Sequence, residues 1–587
     1  MNNPLPSGQW SSIGVIALAA VLFFTACAAP EKAKHIDSAG EVMRIEIAPR
    51  LENSDRVSSL DMRIEVPAPA LKAGDTFLSM AIVRVMAPSA LTDPQTLTAS
   101  DDLGPIALTI EEDPEDPSNF RQDRRWIVQR DTAGDVEIHY TIEPRVITAS
   151  TRPGPLIDTR TELWGVYGSG NTMLALPVND WPRDVQLEWD LSEMPENARA
   201  ASSLGPGPAR ARVDQQDLNN TFFMAGPLKS QPEDGEGAFV VYWMTPAAFD
   251  LQGAAEWTQE AYDYFVDFFG QDVDAFRVFM RTTERFQGGG GGGYNSFIFG
   301  TVEGEDRDPK EVRSLLAHEA IHHFVGGYGE GGGAGGQQWY SEGATSYYTI
   351  VLPYRASLTT LESFIEDFNA HALNYYTNPQ SGLSNEEVTR LFFSDSNAQL
   401  VPYNRGPLYF ALLDYRMRQA TNGAKRVDDL IFRFIEERDA ADDAVAFWRE
   451  IVSDALGESG GEEFDAIMSG KPLDLPMDLF GPCFSGEERE LRNFARGFRP
   501  YPDEEGRTRI GPVTPGSPAA QADLQRYDII ENPETLEAAE DDRPGSSIKL
   551  NIIRQGERMT VAYTPWTLPT KGLQWNRTGV PSEQCGL

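Results

Sequence analysis

A chain of 587 residues exceeds what one hydrophobic core can organise, so three or four domains are expected, and 41% hydrophobic with 24% charged residues is the composition of a globular protein. Lys and Arg number 50 against 89 Asp and Glu, and the resulting formal charge of −39 excludes nucleic acid and anionic lipid surfaces as partners held by bulk electrostatics. An acidic surface keeps a protein soluble and selects no particular substrate.

The apolar run from Ile13 to Phe24 is too short for a confident membrane span and fits the h-region of a secretory signal, although no Lys or Arg precedes it. It ends in Phe24-Thr25-Ala26-Cys27, which resembles a bacterial lipobox. The expectation is a signal peptide over residues 1–27, lipidation of Cys27, and a polar tether over 28–41. That describes an exported bacterial lipoprotein on the periplasmic side of a membrane, expected to be the outer one.

Residues 42–248 read as an N-terminal all-β domain. Apolar and polar residues alternate in Met43-Arg44-Ile45-Glu46-Ile47, in Met62-Arg63-Ile64-Glu65-Val66 and from Val136 to Ile142, with Pro, Gly, Asp and Asn between the runs. His139 lies inside such a run without ligand-type neighbours and reads as a structural histidine.

From about Asp250 the period becomes helical, and residues 250–474 read as a mainly α catalytic domain. Trp257, Ala261, Tyr264, Phe265 and Phe268 mark one amphipathic helix, and Leu408, Leu412, Leu413 and Met417 mark another. Between them Asp308-Pro309-Lys310-Glu311 offers an N-cap, a first-turn proline and a capping-box glutamate. The helix it opens carries His318-Glu319-Ala320-Ile321-His322-His323.

Residues four apart share a helix face, so His318 and His322 can aim two imidazole nitrogens at one metal, with Glu319 beside the open coordination position. Three of the chain's six histidines lie in this segment. Glu342, in Trp339-Tyr340-Ser341-Glu342-Gly343-Ala344-Thr345, is the expected third ligand, and one Zn2+ per chain is the expected cofactor. His323 points about 100° away from His322 and is not read as a ligand. Thr345 and Tyr348 lie one and two turns from Glu342, where they either orient it or pack. Glycine runs flank the motif: Gly288 to Gly293 is unbroken, and eight of the eleven residues from Gly326 to Gly336 are glycine. Both are expected as loops bordering a cleft.

The chain then returns to short strands. Gly516-Ser517-Pro518-Ala519-Ala520-Gln521-Ala522-Asp523-Leu524 before Tyr527-Asp528-Ile529-Ile530 resembles a PDZ domain, placed at 484–570 with a tail over 571–587. Such a domain binds an extended peptide as an added strand, and Arg496-Gly497-Phe498 is the nearest candidate for its carboxylate-binding loop. With Cys27 used for lipid, Cys483 and Cys585 are left either to pair as a disulfide or to remain buried thiols.

These residues together resemble the gluzincin metallopeptidases, and among them the glycyl aminopeptidase family. The matching phrases are Leu316-Ala317-His318-Glu319 through His322, Trp339 with Glu342-Gly343-Ala344-Thr345-Ser346-Tyr347-Tyr348, and Tyr403-Asn404-Arg405-Gly406. The resemblance implies a thermolysin-like catalytic domain behind the β domain, peptide or protein substrates, Glu319 as general base and Tyr403 as the donor to a tetrahedral oxyanion. The chain departs from the family in two places. Phe324-Val325 and a glycine-rich loop follow the second ligand histidine, where the family has a Trp-Asn pair. The segment that would carry the glutamate holding a substrate's free amine reads Gly292-Gly293-Tyr294-Asn295-Ser296-Phe297, with no carboxylate.

An endopeptidase is therefore expected, because a free α-amino group would lack its ion pair. Two alternatives stand beside it. One is an aminopeptidase using Glu284 or Glu303 for the amine. The other is a zinc-stabilised lipoprotein that binds peptides without turnover, which would have no chemical need for Glu319.

Overall fold

The structure, a computed structural model, describes residues 42–585 except 53–55, 86, 115–120, 148–155, 272–274, 284–289, 327–335, 393, 504 and 541–542. The expected signal peptide, lipobox and tether, Glu284, and most of the second glycine-rich stretch lie outside these residues. No helix among the described residues is long and apolar enough to cross a membrane.

Two compact units divide the chain. One takes the described residues up to Ser341 together with Ile435–Ala444; the other takes Glu342–Phe434 and Val445 onward. In the first unit the alternating runs form strands. Met43–Glu52 pairs antiparallel with Arg56–Val66, which pairs antiparallel with Val136–Ile142, inside a seven-stranded sheet. Met43, Ile45, Ile47, Leu60, Met62, Ile64, Val66, Val136, Ile138 and Ile142 all point into the core and are at most 1% exposed. Each such side chain contributes roughly 1.5–3 kcal/mol by leaving water, which fixes the register, because a one-residue slip would turn the whole row outward. His139 sits on the opposite face of its strand, half exposed, with its Nε2 3.2 Å from Glu137.

The transition from strand to helix does not coincide with a sheet boundary. Phe239–Trp243 pairs in parallel with Phe276–Thr283, and that strand pairs in parallel with Ser296–Val302. Helix Leu251–Phe269 is the crossover between the first two strands, and its Asp250 N-cap accepts from the Gly253 N–H at 2.9 Å. This helix buries Ala254, Ala255, Thr258, Ala261, Tyr262, Phe265 and Phe269; Trp257, Tyr264 and Phe268, expected on the inner face, lie at its margin.

Gly290–Gly293 corrects the loop expectation. It is the edge strand of the same sheet, antiparallel to Ser296–Val302, with Gly290 opposite Phe299 and Gly293 opposite Ser296. A Cβ on Gly290 would lie 2.0 Å from the Phe297 ring, so only glycine lets that ring cross the strand.

In the second unit, helices Gln338–Arg355, Leu361–Thr377 and Ser396–Thr421 pack around aromatic side chains, the first of them beginning in the other unit. Tyr347 meets Phe368 and Phe410 at ring-centroid distances of 6.3 and 6.2 Å. Leu408, Leu412, Leu413 and Met417 are buried as their spacing implies. Further on, five antiparallel strands from Phe498 to Tyr563 form a small sheet with helices Pro518–Gln521 and Glu534–Ala538. Phe484–Leu491 and Thr570–Arg577 do not join this sheet. They pair with each other as a ribbon, and Asn369 of helix Leu361–Thr377 bonds both the N–H and the C=O of Trp575, at 2.8 and 2.9 Å. Cys483 and Cys585 are joined by a disulfide.

Candidate metal centre

The helix carrying the histidines is Pro309–Val325. Asp308 caps it by accepting from the Lys310 N–H at 2.8 Å, and Pro309 occupies the first turn. Val312, Leu316, Ile321 and Phe324 are buried, and Phe324 stacks on Phe269 at 5.0 Å and meets Tyr262 at 5.4 Å. At the other end Arg438 donates to the Val325 carbonyl at 2.6 Å, placing a cation where the helix dipole is negative. Both ends and one face of the helix are thereby fixed.

His318 and His322 are half-buried one turn apart, with their Nε2 atoms 3.1 Å from each other. Two imidazole nitrogens this close share either a proton or an ion, and two ligands about 2.0–2.1 Å from one tetrahedral metal lie about 3.3 Å apart. Glu342 supplies a carboxylate oxygen to the same group, all three ligand atoms lying within 4.8 Å of one another. Two nitrogens and one oxygen, with a fourth position left for water or substrate, suit a catalytic zinc ion. His318, His322 and Glu342 are thus brought together as their spacing suggests.

Glu319, on the same helix, is 5% exposed. His323 is turned into the core against Tyr262, Phe276 and Phe324, and neither ring nitrogen has a hydrogen-bond partner among the described residues. Burial pushes its pKa down to about 4, so it is neutral there and packs as an aromatic ring.

Glu342 is fully buried on helix Gln338–Arg355. The next residue, Gly343, meets Gly406 of helix Ser396–Thr421 so closely that a Cβ on Gly343 would lie 2.9 Å from the Gly406 Cα and 3.2 Å from the Phe410 ring. Further along, Asp428 accepts from the Tyr348 hydroxyl at 3.0 Å and from Arg355 at 2.8 Å. Tyr348 thus fastens the helix through Asp428, and Thr345 is wholly buried.

Tyr403 is half-buried, one turn before Gly406, against Val388, Phe392 and Val401. Beside it Asn404 is 3% exposed, and its amide oxygen accepts from the His371 Nδ1 at 3.2 Å, a contact between two helices that no local motif announces. Of the two acids considered for a substrate amine, Glu303 lies on the exposed turn after Val302, and Glu284 is outside the described residues.

No protein-family model and no curated protein matches this chain. Among solved structures it is similar to an aminopeptidase N family protein from Idiomarina loihiensis, at 15% identity over 91% of this chain and 98% of that one, with a TM-score of 0.64. An M1 zinc metallopeptidase from Deinococcus radiodurans aligns at 16% identity over 74% and 93% of the two chains, with a TM-score of 0.40. Native leukotriene A4 hydrolase from Saccharomyces cerevisiae aligns at 13% identity over 75% and 67%, also at 0.40. The first of these likenesses shows a shared fold over nearly the whole of both chains.

Proposed function

We propose that this protein is a zinc-dependent peptidase, a reading carried by one observation: two imidazoles and a carboxylate converge on one point, with Glu319 buried on the same helix. Zinc bound by His318, His322 and Glu342 supplies Lewis-acid activation of water and polarisation of the scissile carbonyl. Glu319 takes a proton from the attacking water on a carboxylate oxygen and then delivers it to the nitrogen of the departing amine.

Tyr403 is the proposed donor to the oxyanion. Gly406 and Phe410 both face the glutamate helix at Gly343, and Tyr403 lies on that face one turn nearer the helix start. A phenol there can donate a hydrogen bond without adding charge.

Endopeptidase action is supported by Gly290–Gly293, which carries no side chain and so no anion for a free amine. Aminopeptidase action is favoured instead by the fold shared with an aminopeptidase N family protein. The small sheet is proposed as a PDZ-like module taking an extended peptide as an added strand, supported by its edge strand Phe498–Pro502 directly after Arg496-Gly497. Export as a lipoprotein anchored through Cys27 is supported by the Cys483–Cys585 disulfide, which suits an oxidising compartment.

The test uses zinc-loaded protein and a peptide library with free and blocked N-termini, read by mass spectrometry beside E319Q. Internal cuts in blocked peptides are expected, with E319Q slower by about a hundred- to ten-thousand-fold and still zinc-loaded. Loss of terminal residues from free peptides alone would establish the aminopeptidase, and equal cleavage by E319Q would overturn the mechanism.

A further inference from the structure

The small sheet ends on one side at strand Phe498–Pro502, which pairs antiparallel with Thr508–Val513, and no described strand pairs with its other side. Three contacts fix which way its backbone groups point. The Thr514 N–H donates to the Gly497 carbonyl at 2.8 Å, and the Asp503 N–H donates to the Arg507 carbonyl at 2.9 Å. Between them the Arg499 carbonyl faces Gly511, where an added Cβ would lie 2.6 Å from its oxygen. The register shifts once, between Phe498 and Pro500, and Gly511 and Pro512 of the partner strand take up the shift, so this strand itself alternates without interruption. Gly497, Arg499, Tyr501 and Asp503 therefore turn their backbone groups toward the partner strand, and Phe498, Pro500 and Pro502 turn theirs to the outer edge.

An ordinary strand edge offers both an N–H and a C=O at every second residue. Here two of the three outward residues are proline, which has no N–H, so the row holds three carbonyls and a single backbone donor, at Phe498. A second copy of this chain would bring the same three carbonyls and the same one donor, so two such edges do not complement each other. What fits is a strand of different sequence that supplies the N–H groups and leaves its own carbonyls in water.

Resting on the reading of this sheet as a peptide-binding module, we propose that Phe498–Pro502 takes an extended segment of another polypeptide through a one-sided ladder. N–H groups of three alternate ligand residues donate to the carbonyls of Phe498, Pro500 and Pro502, and beyond Phe498 no bond is returned. Pro500 and Pro502 are thereby the residues that set specificity. The ligand is read by its N–H groups, so a proline or an N-alkylated residue at any of the three positions is refused. Each bond not returned lowers affinity by about two- to tenfold, which makes the bound segment quick to leave.

The experiment uses the full chain carrying E319Q, so that bound peptides are not cut, with and without P500V/P502V. A random peptide library displayed on phage is selected on each form, and the peptides recovered are synthesised with a fluorophore and titrated by anisotropy. Peptides selected on the E319Q chain are expected to bind the P500V/P502V form about tenfold tighter, because two N–H groups are restored to the edge. The single variants P500V and P502V are each expected to give a smaller gain. On the chain with its prolines intact, N-methylation of three alternate ligand residues is expected to weaken binding about tenfold each, and methylation of the residues between them to change it little. Equal affinity with and without the prolines, or losses that do not alternate along the ligand, would overturn the one-sided ladder while the module still binds peptide. Recovery of no peptide on either form overturns the peptide-binding module itself, and this inference with it.

Discussion

Gly343 and Gly406 touch backbone to backbone, a Cβ on Gly406 falling 2.2 Å from the Gly343 Cα. No side chain fits between the two helices, and the residue beside Gly343 is the candidate ligand Glu342. G406A is expected to force the helices apart at a cost of about 3 kcal/mol, since overpacking a rigid core has no cheap relaxation. Zinc affinity should fall with stability, because the displaced helix carries one ligand. Urea unfolding and zinc titration of the purified variant check both; an unchanged midpoint would refute the contact.

His322 and His323 are adjacent in sequence yet opposite in role. H322F is expected to abolish stoichiometric zinc, as two ligands rarely hold the ion that three hold. H323F should keep it, and should be as stable as the parent or slightly more so, since a ring replaces a ring whose nitrogens are buried without partners among the described residues. Metal analysis after dialysis separates the two outcomes.

Asp217 gives a pH dependence with a definite sign. Burial raises its pKa from the ordinary carboxylate value near 3.8 to about 6, against the lowering effect of the Asp214 N–H. The folded state therefore favours the protonated acid. The unfavourable ionisation is absent below about pH 4 and complete above the folded pKa. D217N keeps an oxygen for the Asp214 N–H and is expected to stabilise the protein by about 1–2 kcal/mol at pH 8, with little effect at pH 4. Thermal unfolding at the two pH values measures this, and equal shifts at both would contradict it.

The Cys483–Cys585 bridge spans 102 residues. A loop of that size restricts the unfolded chain by up to about 4–5 kcal/mol. C483S/C585S is expected to melt lower by several degrees, and the parent to show the same fall in reductant once the buried sulfurs are reached. Calorimetry with and without reductant tests it.

Much of this was legible from residue order because side-chain period and burial share one cause. The rows Met43-Ile45-Ile47 and Val136-Ile138-Tyr140-Ile142 are buried as their alternation requires. The helix of the candidate metal ligands was announced by Asp308 and Pro309, and the pairing of His318 with His322 by four-residue spacing. Gly290–Gly293 escaped because glycine has no side chain to show a period; its strand is imposed by pairing with Ser296–Val302. The inner face of Leu251–Phe269 was misjudged at Tyr264 and Phe268 because alanines and Thr258 make the close contact while the larger rings lie at the margin. His371 and Asn404 are 33 positions apart, and only the packing of their helices joins them.

Leu491 and Thr570 are directly opposite each other in the ribbon that Asn369 fastens to the helical body. Paired strands at such positions stand about 5 Å apart, the gap a tight turn closes. Everything from Arg492 to Pro569 therefore leaves the ribbon and returns to it at one point. Replacing that stretch by a tight turn between Leu491 and Thr570 costs the helical body the Asn493 bond to Asn374, while the ribbon keeps its own fastening at Asn369.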